Sequence, residues 1–526
     1  MTENPKIPED EINGANPPPT DVTGHGQEEV KGRSVQDYID ETPMWPDQTR
    51  MTGSPMTNMQ WLVWALACFG KFFEGMVVFM TGVALPLMMR EFGLGATEKG
   101  FIAAAPLLGI LIGATALGSL ADVFGRKKMF IIELILFAAF VVALTFCDLL
   151  PGDPLLWIVF LLFGTGLALG CDYPTAHMVI SECIPSTVRG RMVLSAFGFQ
   201  AVGALAGVAV GFVVLSVSPE LSSWRWMYAA TLIPAIPVII GRFFITKSAH
   251  WLVSQGRYDE AEAELARLLK RNPPYPKTIK LARKPETAQP KKQKSFSALF
   301  RRKHRGRTIL ASLPWFLQDL GTYGIGIFTP IILATVIGQE RIEHATSVSE
   351  IVYNAKLAAQ GAIFIDVLLI VGIIFAIFLA DKVGRMRLQI AGFIGCAVGL
   401  FIAALSLNFT EGSTMAMVLI FTGFMLFSFM TNMGPNAMTY LIAGEVFPTK
   451  LRGKGAGFAA SFAKIGACLT AFLFPVFLAE IGTAVLLYCL VGTSLLGALV
   501  TWAFAIETKG LNLEKLDAEE PAQLVP

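Results

Sequence analysis

The chain has 526 residues, 54% of them hydrophobic and only 16% charged, with a formal net charge of +2. Its mean hydropathy of +0.57 is far above that of a soluble domain, which argues against a soluble enzyme or a nucleic-acid-binding protein and for a chain that sits in lipid. The small net charge hides an asymmetry, because residues 247–307 hold seventeen Lys and Arg against five Asp and Glu.

In chain order, residues 1–58 are polar and rich in Pro, Asn, Asp and Glu, without the basic start and apolar core of a signal peptide. They are expected to form a disordered cytoplasmic tail. Six apolar spans follow in the half 59–246, near residues 61–89, 101–120, 129–146, 157–180, 192–217 and 226–245. The basic stretch 247–307 then reads as a cytoplasmic loop, since cationic loops stay on that side of a membrane. Six more spans fill 308–506, near residues 309–337, 363–380, 388–407, 415–444, 455–478 and 483–505, before a cytoplasmic tail at 507–526. The expected fold is therefore an all-α membrane protein of twelve transmembrane helices in two six-helix halves, with both termini cytoplasmic. Several spans exceed the twenty or so residues a bilayer requires, which implies tilt or water-facing ends. The seven cysteines form no C-x-x-C pair, so neither a disulfide framework nor a metal site follows from them.

The halves repeat one another. Gly118-Ser-Leu-Ala-Asp122-Val-Phe-Gly125-Arg126 after the second span recurs as Leu379-Ala-Asp381-Lys-Val-Gly384-Arg385 after the eighth. Ser181-Glu182-Cys-Ile-Pro185-Ser-Thr-Val-Arg189-Gly190 after the fourth recurs as Gly444-Glu445-Val-Phe-Pro448-Thr-Lys-Leu-Arg452-Gly453 after the tenth. The offsets, 259 from Asp122 to Asp381 and 263 from Glu182 to Glu445, are nearly equal, as a duplication requires. Asp122, Arg126, Glu182 and Arg189, with their counterparts Asp381, Arg385, Glu445 and Arg452, can make ion pairs that lock and release a cytoplasmic gate. Ordinary topology-setting charge is the plainer alternative.

Trp315, Asp319 and Tyr323 stand four residues apart in an apolar span and so share one helix face. A carboxylate placed mid-membrane between two hydrogen-bonding aromatics has little reason to exist unless it faces a water-filled path. Tyr173, Gln200, Asn436 and Lys464 join them from the fourth, fifth, tenth and eleventh spans, so the set draws on both halves, as a midplane site at a repeat interface requires. Phenol, amide and indole donors around the Lys464 cation suit a small oxyanion. Three further acids, Glu74, Glu133 and Asp172, sit in the first, third and fourth spans. Acids there are costly without use, and helix-packing hydrogen bonds are the plainer alternative to proton carriage. Lys71, one turn before Glu74, can lock that acid in a salt bridge or enlarge the positive field of the site.

The twelve spans and the two Asp-x-x-Gly-Arg turns resemble the major facilitator superfamily. Arg257 in Trp251-Leu-Val-Ser-Gln-Gly-Arg257 and Glu507-Thr-Lys-Gly510 are similar to its sugar-porter branch. Gly170-Cys-Asp172-Tyr173-Pro174, Trp315-x3-Asp319-x3-Tyr323, Asn432-Met-Gly434-Pro435-Asn436-Ala-Met-Thr439 and Ala459-Ala-Ser-Phe-Ala-Lys464-Ile-Gly466-Ala467 resemble its phosphate:proton symporters. The resemblance implies alternating access, phosphate binding at Tyr173, Gln200, Trp315, Asp319, Tyr323, Asn436 and Lys464, and proton translocation through Glu74, Glu133 and Asp172. It also implies a multi-pass protein of the plasma (inner) membrane, a functional monomer, with inorganic phosphate and protons as its partners. Phosphate carries an O–H that can donate to Asp319, whereas sulfate has none, which makes Asp319 the expected selectivity element. An Asp319–Lys464 ion pair is compatible with that role. A porter of another organic anion or sugar is the direct rival, and a non-transporting nutrient receptor the rival of another class. No Walker-type loop, metal cluster or nucleophile triad supports an enzyme, a cofactor or a metal, and nucleic acid is not an expected partner.

Overall fold

The computed structural model describes residues 33–42, 53–117, 120–271, 278–283, 296–337, 347–410, 413–448 and 451–509, apart from the side chains of 173 and 334–337. The first half comprises α1 (Val35–Ile39), α2 (Asn58–Phe92), α3 (Ala96–Ile112) running into a π-turn at Gly113–Leu117, α4 (Leu120–Phe124), α5 (Arg126–Thr145), α6 (Pro154–Cys183), α7 (Ser186–Val217), α8 (Ser223–Ala230) and α9 (Leu232–Phe244). The basic loop contributes α10 (Ala249–Ser254) and α11 (Tyr258–Leu268). The second half comprises α12 (Arg302–Ile337), α13 (Val348–Val383), α14 (Arg385–Leu405), α15 (Thr414–Met433), α16 (Pro435–Glu445), α17 (Arg452–Glu480) and α18 (Gly482–Ala503). Twelve of these helices, counting α8 with α9 and α15 with α16 as single spans, are long and apolar enough to cross a membrane.

Local chemistry sets the ends. Thr57 caps α2 reciprocally with Gln60, and Gly93 closes it in the left-handed region at φ 65°. Asp153 caps α6 ahead of Pro154, and a Ser347–Glu350 capping box starts α13. The two duplicated turns share a conformation that only glycine adopts without strain, Gly125 at φ 93° and Gly384 at φ 105°. Gly434 and Pro435 interrupt the tenth span, so that α16 starts inside the protein.

Within the first half α2 packs on α7, and α6 on α3 and α5; in the second α12 packs on α17, and α14 on α15 and α18. Backbones approach closely where small residues allow it: a Cβ on Gly75 would stand 2.0 Å from the Gln200 carbonyl oxygen, which fixes α7 against α2 one residue from Glu74. The halves meet through α3 on α17, α7 on α13 and α2 on α12. They touch on both sides of the centre. Toward the basic-loop face, His177 and Tyr440 are 2.9 Å apart; toward the other face, Gly82 lies against the Ile327 carbonyl and Phe101 against Phe472.

The disordered tail expected over 1–58 is corrected for residues 33–42, while 1–32 and 43–52 lie outside the described residues. Ser34 and Asp37 cap α1 reciprocally, the Tyr38 hydroxyl donates to the Lys280 carbonyl, and Asp40 accepts from the Ser186 N–H at 2.7 Å. Arg33 forms an isolated parallel bridge with Leu281. These local caps and long-range anchors supply the ordering energy that composition alone does not reveal. The expected tail at 507–526 falls outside the described residues beyond Lys509.

Candidate functional site

Two lysines and two acids form the centre. Glu74 of α2 is buried, with Lys71 Nζ 2.5 Å from one carboxylate oxygen and Lys464 Nζ 3.0 Å from the other. Lys464 of α17 also stands 3.8 Å from Asp319 of α12 and hydrogen-bonds the Tyr323 hydroxyl. That hydroxyl donates to Glu74 at 2.8 Å and accepts from the Gln200 amide at 2.9 Å. Charge-assisted hydrogen bonds of this kind are strong, and in a low-dielectric setting each ion needs its counter-ion. Four helices from both halves thus meet through one network.

Asp319 is buried among them, yet its Oδ2 receives no aligned hydrogen bond. The expected Asp319–Lys464 pair is therefore present but loose, and Glu74 is the nearer partner of Lys464. Trp315 lies one helical turn from Asp319 and packs edge-on against Tyr440, which stacks on Phe197 at 4.5 Å. Asn436, at the start of α16, donates to Asn432 at 2.6 Å and borders the same small space as Trp315, Asp319 and Lys464. That space has room for about one or two water molecules. Tyr173 lies on α6, with its side chain outside the described ones.

Glu133 and Asp172 form a second cluster around Arg242 of α9, and Asp172 borders one small space with Lys71 and Glu74. Arg242 is fully buried and lies 2.6 Å from Asp172. Glu133 meets the Thr175 hydroxyl at 2.9 Å. Arg242 is not among the residues expected from the sequence, although a lone arginine within the apolar run of α9 is a visible signal. Nor is Asp366 on α13, buried with one carboxylate oxygen unpartnered.

The expected gate pairs form mostly within each half. Arg126 pairs with Asp122 at 2.9 Å and Glu182 at 3.0 Å, and Arg385 pairs with Asp381 at 2.9 Å and Glu445 at 3.2 Å. Glu182 pairs with Arg126, while Arg189 donates to the Ile184 carbonyl, because the helix start at Ser186 turns Arg189 back along its own chain. Thr508 takes the second place on Glu445. Between the halves, an exposed Arg191–Asp381 pair at 3.6 Å joins this face. The duplicated turns thus staple each half, and among the described residues the halves are joined on this face by the Arg191–Asp381 pair, the His177–Tyr440 contact and packing.

The sequence over residues 63–519 matches the family model described as "Sugar (and other) transporter". The chain belongs to that family. It is a multi-pass membrane transporter of the major facilitator fold, not an enzyme. The inner membrane metabolite transport protein YgcS of Escherichia coli (strain K12) is 29% identical over 474 residues, covering 88% of this chain and 95% of that one. A rice protein (Oryza sativa subsp. japonica) named "Probable inorganic phosphate transporter 1-12" is 26% identical over 451 residues, covering 78% and 81%. The partially occluded inward-open xylose transporter XylE from E. coli shares the fold with a TM-score of 0.69 at 20% identity, covering 86% of this chain and 100% of that one.

Proposed function

We propose that this transporter imports a small oxyanion together with protons, with inorganic phosphate as the substrate, by alternating access of its two halves. The observation that carries this reading is the charge balance of Lys71, Lys464, Glu74 and Asp319. With both acids ionised the four charges cancel. Adding a proton to one acid leaves one cation in excess, which a monoanion neutralises, so anion and proton enter low-dielectric surroundings more favourably together than alone. Asp319, whose Oδ2 lacks an aligned donor, is proposed to accept the O–H of a phosphate. The likeness to a protein named as a phosphate transporter supports this choice.

The proposed orientation puts both termini and the basic loop in the cytoplasm, with the cell membrane as the location. Gln200, Trp315, Tyr323 and Asn436 orient the anion, and Tyr173 on α6 is assigned with them from the sequence. Glu74, Glu133 and Asp172 are the proposed acids of the proton path, and the two stapled turns act as hinged ends of the gate. A second reading, an organic anion, is favoured by the aromatic wall of Phe197, Trp315 and Tyr440 beside Lys71, since flat rings match an apolar body joined to a carboxylate. Radiolabelled phosphate uptake into proteoliposomes under an imposed pH gradient, with arsenate, sulfate, sugars and small aromatic carboxylates as competitors, tests both. Inhibition by arsenate but not by sulfate or carboxylates is expected; inhibition by carboxylates alone selects the second reading.

A further inference from the structure

We infer that Arg242 is a positioning residue: it holds Asp172 as a fixed carboxylate and so leaves Glu133, on the neighbouring helix, as the group that takes up and releases the proton in the first half. The inference rests on the proton coupling proposed above and assigns its parts.

Arg242 is anchored on several sides. Its guanidinium hydrogen-bonds the Phe130 carbonyl of α5, reaches the Leu66 carbonyl of α2 at 3.5 Å and lies over the Phe130 ring at 3.4 Å. A planar, delocalised cation suits such a place, where a lysine ammonium would not stack. Arg242 is the ion-pair partner of Asp172 at 2.6 Å, neither carboxylate oxygen receives an aligned hydrogen bond, and the carboxylate presses on α2 so closely that a Cβ on Gly70 would stand 1.6 Å from Oδ2. Of the three buried acids in this half, Glu74 has two lysines and Asp172 has Arg242, whereas Glu133 has no cation within ion-pair distance among the described residues.

Thr175 indicates the state of Glu133. Its hydroxyl lies 2.9 Å from a Glu133 carboxyl oxygen and also 2.9 Å from the Cys171 carbonyl. A hydroxyl has one proton and a carbonyl only accepts, so both contacts are satisfied together when Glu133 brings a proton of its own. The second Glu133 oxygen is buried without a partner, the position in which an ionised carboxylate is most costly. Among the described side chains, the other ionisable groups beside the cluster are Lys71 on α2, paired with Glu74, the Cys171 thiol on α6, directed at the Gly113 carbonyl, and His177, which borders the same space as Asp172 and meets the Tyr440 hydroxyl; α3 brings none between Phe101 and its π-turn. With Arg242 cationic, Asp172 anionic and Glu133 protonated, the cluster is neutral. Release of the Glu133 proton to entering water leaves one net negative charge, which water solvates, and uptake from the other face restores neutrality.

The test uses infrared difference spectra of the full-length protein in liposomes between neutral and alkaline buffer, read in the protonated-carboxyl band. Wild type is expected to show a titrating component that Glu133→Gln removes, that Asp172→Asn/Arg242→Gln keeps, and that Thr175→Val shifts in frequency. Arg242→Gln alone is expected to add a second component, which Asp172→Asn then removes; loss of packing by itself would not create one. Retention of the original component in Glu133→Gln, or its loss in the double variant, overturns the inference. Should the spectra behave as expected while wild-type vesicles show no gradient-driven phosphate uptake, it is the symport reading that fails and the carboxyl assignment that stands.

Discussion

Lys464 stands between two carboxylates and a phenol, and which of the acids it releases first decides how an anion enters. Glu74 is the nearer at 3.0 Å and is shared with Lys71, while Asp319 is farther at 3.8 Å and less constrained, so the proposed phosphate substrate is expected to meet the Asp319 side first. Lys464→Ala is expected to reduce phosphate affinity more than tenfold and to lower stability by about 3–5 kcal/mol, because Asp319 is left buried without a cation. Lys464→Arg should recover little affinity, since a wide guanidinium does not fit between Tyr323 and Glu74. Isothermal titration and thermal unfolding of the purified variants check both; near-normal affinity in Lys464→Ala contradicts the assignment. Asp319→Asn is expected to weaken phosphate and to raise the relative affinity for sulfate, as an amide donates to an oxyanion where a carboxylate only accepts. Competition binding reads that ratio, and an unchanged preference refutes it. At this scale the 315–323 face and Lys464 were legible as polar residues in apolar runs. The Glu74–Lys464 contact was not, because it joins residues 390 positions apart on helices of different halves, and no periodicity encodes such a pairing. Arg242 was legible as a lone cation but its partner on α6 was not.

Elements are positioned by a few turns. The break at Gly434 and Pro435 starts α16 beside the centre, and it depends on close packing: a Cβ on Gly434 would stand 2.5 Å from the Gly392 Cα. Gly434→Ala is therefore expected to displace Asn436 and to lower both unfolding temperature and phosphate affinity, whereas Gly457→Ala, in open space on α17, should lower neither. Fluorescence-detected size exclusion after heating distinguishes them, and equal behaviour of the two argues against the packing role. The strap formed by α1 against the basic loop predicts a pH effect. The Ser34 hydroxyl, and then its backbone N–H, hydrogen-bond Asp37 and hold that carboxyl below its usual range. A depressed acid stabilises the folded form above its unfolded value and loses that contribution as pH falls through the folded one. Proteolytic nicking of the N-terminal segment should therefore rise in the acid range, and Asp37→Asn should show the rise already at neutral pH; nicking independent of pH and of this substitution would sink the point. The twelve spans were readable from hydropathy to within a few residues at most ends, with α13 beginning well before its apolar core. The strap was not readable, since its anchors, Tyr38 to Lys280 and Asp40 to Ser186, depend on loops brought together by the fold.

Across the whole molecule, duplication gives two halves that each carry a stapled turn, and the charged cluster of Lys71, Glu74, Asp319 and Lys464 sits where they meet. Arg126 and Arg385 each bind a helix end and an acid of their own half, which keeps the halves rigid while the packed contacts between them, such as Phe197 on Tyr440, can part. In the proposed mechanism, motion of rigid halves about a charge-balanced centre couples the anion to the proton: a site that is neutral with two ionised acids admits a monoanion with least electrostatic cost when one acid is protonated. The duplication was visible in the sequence from two motif pairs at nearly equal offsets; the meeting of four helices through Glu74, Tyr323, Gln200 and Lys464 needed coordinates. The most direct test measures proton and phosphate fluxes together in the same proteoliposomes, with a trapped pH dye and labelled phosphate, without an imposed gradient. Inward phosphate movement accompanied by internal acidification, with both lost in Lys464→Ala, is the predicted result. Phosphate entry without acidification, or acidification driven equally by an uncharged sugar, would contradict it.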